Sequence, residues 1–313
     1  MSRNENKPEE KPFAEFRAAT AGTFDGVHPG HRLVLSVLRR EAEARGLRPM
    51  VVTFDRHPLE TLRPERIPGL VMSPCRRDAI LRSLGFEVEV CRFTPEFASL
   101  TAREWIRRLR DEQGVRLVVI GYDNTFGSDG RRMTCDDYIE LGRSEGVEVI
   151  DAACRPGVSS TSVRHALADG DVERATALLG APFEIEGKVV HGRALGRTIG
   201  FPTANIAPSY RAALPLEGVY AADVSCPDGV WRRSVVNIGR RPSVEVRADA
   251  PLSIEAHLIG YAGDLYGHTV RVRFLKRLRG ECRFAGLEEL RDAISQDVAQ
   301  AREIPAVAAE PET

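Results

Sequence analysis

The sequence predicts two domains of different class: a doubly wound α/β domain with a parallel sheet, then a small, mainly antiparallel β-barrel or sandwich closed by one helix. Three observations predict this. The chain has 313 residues, and domains run to roughly 100–200 residues each. From Arg17 to Ala152 short apolar runs alternate with helical patterns, the mark of parallel strands joined by crossover helices. After Pro182 the runs alternate apolar and polar residues and are broken by glycine and proline, as half-buried antiparallel strands read. The boundary therefore falls near Pro182, with domains at 13–181 and 182–304. The Pro-, Glu- and Ala-rich tails, 1–12 and 305–313, are expected to be disordered.

The elements follow in order. Ala18–Ala21, Met50–Phe54, Val88–Phe93, Arg116–Asp123 and Val147–Asp151 read as buried strands. Arg32–Ala44 reads as a helix with Leu33, Val34, Val37 and Leu38 on one face and a stop at Gly46. Ala79–Leu84 and Ala102–Leu109 behave similarly, and two short helices follow at Ser162–Ala168 and Val172–Leu179. Phe183–Val190, Gly218–Cys226, Arg233–Gly239, Leu252–Ile259 and His268–Leu275 carry strand alternation. Leu287, Leu290, Ile294 and Val298 recur at helical spacing and predict the closing helix.

Composition excludes several function classes. Lys+Arg is 44 against 45 Asp+Glu, a net charge of −1, so no global basic field is present to hold nucleic acid. None of the six cysteines forms a C-x-x-C pair, which argues against a zinc or redox motif and for reduced thiols. No apolar run approaches the roughly 18 residues of a membrane span, and the polar N-terminus has no signal-peptide core. A cytoplasmic protein without a membrane partner is expected. Oligomeric state is not specified by any of these features.

The densest chemistry lies in GTFDGVHPGH, Gly22–His31, between a strand and a helix. Its glycines allow a tight turn and close backbone approach to a ligand. A helix N-terminus presents unpaired N–H groups and partial positive charge, which suits phosphate. His28 and His31 are three apart, so both imidazoles project from one side of a first turn starting near His28. A lone H-x-x-H is more often a pair of capping or surface histidines. Ten residues combining glycine turn, aspartate, two histidines and strand–helix context are far more specific.

Other segments are weaker alone. VSSTSVR, Val158–Arg164, offers Ser160 or Thr161 as a helix cap, with Arg164 one turn on. TFDRHP (Thr53–Pro58) and GYDNTFG (Gly121–Gly127) end strands, the edge where open α/β sheets bind ligands. In GRALGRTIGFPTAN, Gly192–Asn205, glycines at 192, 196 and 200 permit a phosphate-cradling backbone. Thr203 and Asn205 share one side of an extended segment and can offer oxygens to one hard cation. In LSIEAHLI, Glu255 sits on the polar face of a strand with Ser253 and His257; on periodicity alone, simple exposure is the better reading.

Taken together these motifs resemble the prokaryotic bifunctional riboflavin kinase/FAD synthetase family. GTFDGVHPGH is similar to the H-x-G-H signature of Rossmann-like nucleotidyltransferases, and more narrowly to the G-x-F-D-G-x-H-x-G-H of FAD synthetases. GRTIGFPTAN, GVY, NIGRRPS, EAHL, DLYG and LRGECRF occur in the order found in the riboflavin kinase domain, a six-stranded barrel with a terminal helix. The resemblance covers about residues 17–303. It implies ATP contacts at Gly22, Phe24, Asp25, His28, His31, Ser160, Thr161 and Arg164. It implies a flavin pocket at Phe54, Asp55, Pro58 and Asp123, where Arg56 and Thr125 depart from the family's usual proline and basic residue.

In the second domain it implies kinase ATP contacts at Gly192, Gly196, Gly200, Thr203 and Asn205, with Thr203 and Asn205 at Mg²⁺. Glu255 is implied as general base, and Arg279, Glu281 and Phe284 as a flap over the flavin. The expected partners are riboflavin, FMN, FAD and ATP. A kinase with an impaired adenylyltransferase domain and a non-catalytic flavin sensor are the alternatives.

Overall fold

The computed structural model describes residues 16–121, 125–153, 157–192, 195–240 and 252–306. The chain forms two compact units, one of Met1–Ile67 with Pro74–Gly157 and one of Pro68–Ser73 with Val158–Thr313.

The first unit is built on five parallel strands, β1 (Arg17–Ala21), β2 (Arg48–Phe54), β3 (Glu87–Cys91), β4 (Val115–Ile120) and β5 (Glu148–Asp151). Their order is β3-β2-β1-β4-β5. The order reverses between β1 and β4, and in open sheets of this kind ligands bind outside the carboxyl ends at that point. The helices are α1 (Pro29–Ala44), α2 (Pro58–Leu62), α3 (Pro74–Ser83), α4 (Pro95–Ser99), α5 (Ala102–Gln113) and α6 (Cys135–Ser144). Ala19, Met50, Val52, Val118 and Ile120 of the sheet pack against Trp105, Ile106 and Leu109 of α5.

Helix α1 packs on β1, β2 and β4 through Leu35, Leu38 and Ala42. Leu33, expected on its buried face, is 46% exposed. The helix starts at Pro29, and that phase turns Leu35 inward in its place.

Helix α6 lies outside the elements read from the sequence and packs through Tyr138, Ile139 and Leu141. Thr134 and Asp137 form its capping box. Its Tyr138 hydroxyl receives the Phe126 N–H at 3.0 Å and donates to the Phe126 carbonyl at 2.8 Å. Both backbone groups are buried, and losing the hydroxyl leaves them unpaired at about 1–3 kcal/mol each. Tyr138→Phe is therefore expected to lower the unfolding free energy by about 2 kcal/mol or more, read from the shift in urea midpoint at unchanged slope.

The second unit is a closed, six-stranded antiparallel barrel in the order β10-β7-β6-β11-β8-β9. Its strands are β6 (Glu184–Val190), β7 (Ala204–Ala207), β8 (Gly218–Ser225), β9 (Trp231–Arg240), β10 (Leu252–Leu258) and β11 (Thr269–Arg279). Ile185, Ile206, Tyr220, Val236, Ile254 and Phe274 help fill the interior cluster. Two helices, α7 (Ser160–Ala168) and α8 (Val172–Leu179), belong to this unit and pack Val163, Leu167, Ala175 and Leu179 into the same cluster. A short helix, α9 (Leu195–Thr198), precedes β7, and α10 (Leu287–Glu303) lies across β8 and β9.

Two details depart from the expected elements. Strand β11 continues to Arg279 through register shifts after Phe274 and Arg277; bulges break the period of two, so the alternation stops at Leu275 although the pairing does not. Helix α10 buries Asp297 and Ala301 and leaves Leu287 65% exposed. Its buried stripe is built round an ion pair between Asp297 and Arg279, which an apolar period cannot reveal.

Candidate active sites

In the first unit the site grows from the end of β1. The Gly22 N–H donates to the Val52 carbonyl at 3.0 Å. The chain then turns through Phe24 (φ 48°), Gly26 (φ 88°) and Val27 (φ 40°). Two of these are buried non-glycine residues in the left-handed region, costing roughly 1–3 kcal/mol each and persisting only where surrounding contacts impose them. Those contacts are present. The Val27 N–H donates to the Phe24 carbonyl at 3.0 Å, Arg32 Nε donates to the Val27 carbonyl at 3.3 Å, and Arg77 Nη1 donates to the Thr23 carbonyl at 3.3 Å.

The turn delivers His28 to the N-cap of α1, where its Nδ1 accepts the His31 N–H at 3.3 Å. With that nitrogen accepting, a neutral His28 carries its proton on Nε2. The two imidazole rings stack with centroids 3.7 Å apart at 17°, and Phe24 lies 5.1 Å from His31. His31 Nδ1 is buried with no hydrogen-bond partner. Burial first, and the neighbouring His28 second, hold the His31 pKa well below the usual imidazole value. Asp25 is buried beside them. The arrangement is a pair of pre-placed imidazoles at a helix N-terminus, with one ring nitrogen still lacking its partner.

That depressed pKa makes stability depend on pH. Below about pH 6.5 the unfolded chain takes a proton at His31 that the folded chain resists, so stability is full above that value and falls as pH drops through it toward the folded pKa. His31→Gln is expected to flatten this slope of unfolding free energy between about pH 7 and 5 relative to wild type, as urea unfolding at a series of pH values would record.

Arg77, which no sequence pattern marked, ties this turn to β2. Its Nη2 donates to the Phe54 carbonyl at 3.0 Å while Nη1 holds Thr23, and it is itself buried. Phe54 forms an aromatic cluster with Phe93 (5.0 Å) and Phe97 (5.9 Å) at the carboxyl ends of β2 and β3. Phe93 and Phe97 were likewise not foreseen, because neither stands in a motif. Asp55 accepts the Phe93 N–H at 2.9 Å and pairs with Arg56. Burial pushes its carboxyl up, but the Arg56 and Phe93 hydrogen bonds outweigh that and hold it below the usual range. Pro58 is the first residue of α2, capped by His57. Asp123 lies outside the described residues.

Ser160, Thr161 and Arg164 lie in the second unit. The cap of α7 is Ser159, in a box with Ser162, rather than Ser160 or Thr161, which form the first turn itself. Arg164 Nε donates to the Gly69 carbonyl at 2.8 Å.

The second site is a row across the outer face of the barrel. Pairing aligns Val190, Asn205, Glu255, Asn237, Val219 and Arg279 on six successive strands. Directly paired residues share one face, so Glu255 stands between the amides of Asn205 and Asn237. Gly192 lies over Asn205: a Cβ there would stand 2.6 Å from the amide carbon. Gly196 is pressed on the Phe201 carbonyl, and Gly200 turns with φ 86°. Thr203, just before β7, lines a cavity of about 700 Å³ with Arg197, Pro202, Leu265 and Tyr266.

The flap residues divide. Arg279 is engaged by Asp297, through Nε at 3.0 Å and Nη2 at 2.8 Å, and its guanidinium lies 5.6 Å from the Phe284 ring centroid. Glu281 instead reaches the row, its carboxylate filling the space over Gly239. Among the described residues no three His, Cys, Asp or Glu groups converge on a possible metal position. Asn205 is paired with Glu255 and Thr203 stands two residues before it; a hydroxyl, an amide oxygen and a carboxylate are the ligand types that suit a hard cation whose other ligands are phosphate oxygens.

A parallel sheet with paired imidazoles at its switch point, and a barrel with a carboxylate between two amides, define a two-unit protein of nucleotide and phosphate chemistry. The FAD synthetase family model matches residues 11–161 and the riboflavin kinase model residues 179–305. The bifunctional riboflavin kinase/FMN adenylyltransferase of Escherichia coli K12 is 41% identical over 293 residues, spanning 91% of each chain. That of Bacillus subtilis is 36% identical over 286 residues, 90% of each chain. A crystal structure from Streptococcus pneumoniae, described as a macrolide-efflux protein, is 33% identical with a TM-score of 0.80, covering 93% of this chain and 95% of that one. This chain belongs to the bifunctional riboflavin kinase/FMN adenylyltransferase family.

Proposed function

We propose that this chain makes flavin nucleotides in two steps, one in each unit. In the barrel, Glu255 takes the proton of the terminal ribityl hydroxyl of riboflavin. The freed oxygen attacks the γ-phosphorus of ATP, giving FMN and ADP. In the α/β unit, a phosphate oxygen of FMN attacks the α-phosphorus of a second ATP, giving FAD and pyrophosphate. His28 and His31 donate to the phosphate oxygens that gain charge in that step, while Gly22, Phe24 and Asp25 shape the turn that holds the nucleotide. Phe54 and its aromatic neighbours offer an apolar wall for the flavin ring.

Thr203 and Asn205 are the residues that would hold Mg²⁺, which supplies charge neutralisation at the ATP phosphates when bound. Gly192, Gly196 and Gly200 bring backbone close to those phosphates. No helix among the described residues is long and apolar enough to cross a membrane. The observation that carries this reading is that one unit stacks His28 on His31 at the N-terminus of α1 and the other pairs Glu255 with an asparagine on each side.

Chromatographic product analysis tests it. With riboflavin, ATP and Mg²⁺ the protein should release FMN, FAD, ADP and pyrophosphate; with FMN and ATP it should release FAD and pyrophosphate alone. FMN without FAD would reduce it to a kinase, and no turnover would leave a flavin-binding protein.

A further inference from the structure

The reading of Glu255 as base leaves one member of its row without a role. Asn237 on β9 pairs directly with Glu255 on the side opposite Asn205. It is a half-buried amide in mid-strand, a place where asparagine is depleted. On the same face, Val235 lies with Val219 and Ala301 in an apolar patch beneath α10, so Asn237 stands where that covered surface ends. Two residues further, Gly239 has no side chain, and the point its Cβ would occupy is crowded by Glu281, with Cδ at 2.8 Å, and by Asn237 Nδ2 at 3.1 Å. Asn237 thus has Glu255 as its partner across the strand pair, and Glu281, from the segment after β11, fills the space over Gly239 next to it.

An amide suits that position. Its two N–H donors can serve both carboxylates, whereas a third carboxylate would repel them and an apolar side chain would leave them without a fixed partner.

We propose that Asn237 is a positioning residue of the kinase site: its amide fixes the orientation of the Glu255 carboxylate toward the attacking hydroxyl and ties Glu281 to the same point. The inference rests on the assignment of Glu255 as base. The groups around Glu255 are Asn205 from β7, Asn237 from β9, Ser253 and His257 on its own strand, and Glu281; Arg279, further along the row, is held by Asp297.

The test uses the full-length chain with three variants, Asn237→Ala, Asn237→Asp and Glu255→Gln. Misplacing a reacting group can cost about 10²-fold, so Asn237→Ala is expected to lower kcat for FMN formation by about 10–100-fold, with KM for riboflavin changed no more than about 3-fold. Asn237→Asp keeps the shape and adds a like charge beside Glu255. Its kcat should fall at least as far as that of Asn237→Ala while KM for riboflavin again holds within about 3-fold, a split that loss of packing alone would not produce. An inactive Glu255→Gln beside Asn237→Ala and Asn237→Asp enzymes with wild-type kcat overturns the role of Asn237 alone. A fully active Glu255→Gln removes the base assignment and this inference with it.

Discussion

Replacing His28 and His31 together by alanine is expected to abolish FAD formation from FMN while FMN formation from riboflavin continues. The two rings are stacked at the N-terminus of α1 and aimed by a strained turn. In the proposed function each donates to phosphate oxygens, and removing one such donor costs about 10²–10³ in rate. The double variant should therefore fall by roughly 10⁴ or more if the two effects multiply. His28 is also a cap, so its alanine variant loses about 1 kcal/mol of stability as well. His28→Asn separates the two roles, because asparagine caps a helix as well as any residue but does not place the Nε2 proton where imidazole does. Initial rates of FAD and FMN formation, with a melting temperature for each variant, decide the matter. A double variant making FAD at near wild-type rate would remove both histidines from the chemistry.

Glu255→Gln should do the converse. A positioned general base contributes about 10²–10⁴ in rate, and glutamine keeps the size of the side chain while losing its capacity to take a proton. Riboflavin phosphorylation is expected to fall by that factor, with FMN adenylylation retained. Retention also shows that the chain is folded in its first unit, and unchanged thermal unfolding would extend this to the barrel. Rates measured separately from riboflavin and from FMN give the two numbers independently.

Much of the fold was legible because the two patterns are strong. Buried parallel strands such as Met50–Phe54 read as continuous apolar runs, and β8 and β10 as alternation. What escaped had a physical cause. Strand β7 has four residues, too few to show a period; bulges hid the end of β11; and α6 is a ten-residue helix whose apolar face is only Tyr138, Ile139 and Leu141. Leu33, in the apolar face of α1, and Leu287, at the head of the helical period of α10, both face outward, because a stripe read from sequence has no fixed phase until packing sets it.

The candidate sites divide in the same way. His28 and His31 are three residues apart on one turn, so local helix geometry brings them together, and ten consecutive residues carried the whole arrangement. Arg77, Phe93 and Phe97 come from other elements and converge only when β1, β2 and β3 align.

The sequence by itself determined the class of each unit, the glycine turn that sets two histidines at a helix start in Gly22–His31, and the presence of Glu255 on a polar strand face. Only the tertiary structure decided what Glu255 faces. Asn205, Asn237 and Glu255 are 50 and 18 residues apart or so in the chain, and become neighbours because the closed barrel pairs β7, β10 and β9 in one register and a slip of one residue would turn any of them to the interior. Local physics writes the helix turn; the amides around Glu255 exist as a site only once the barrel has closed.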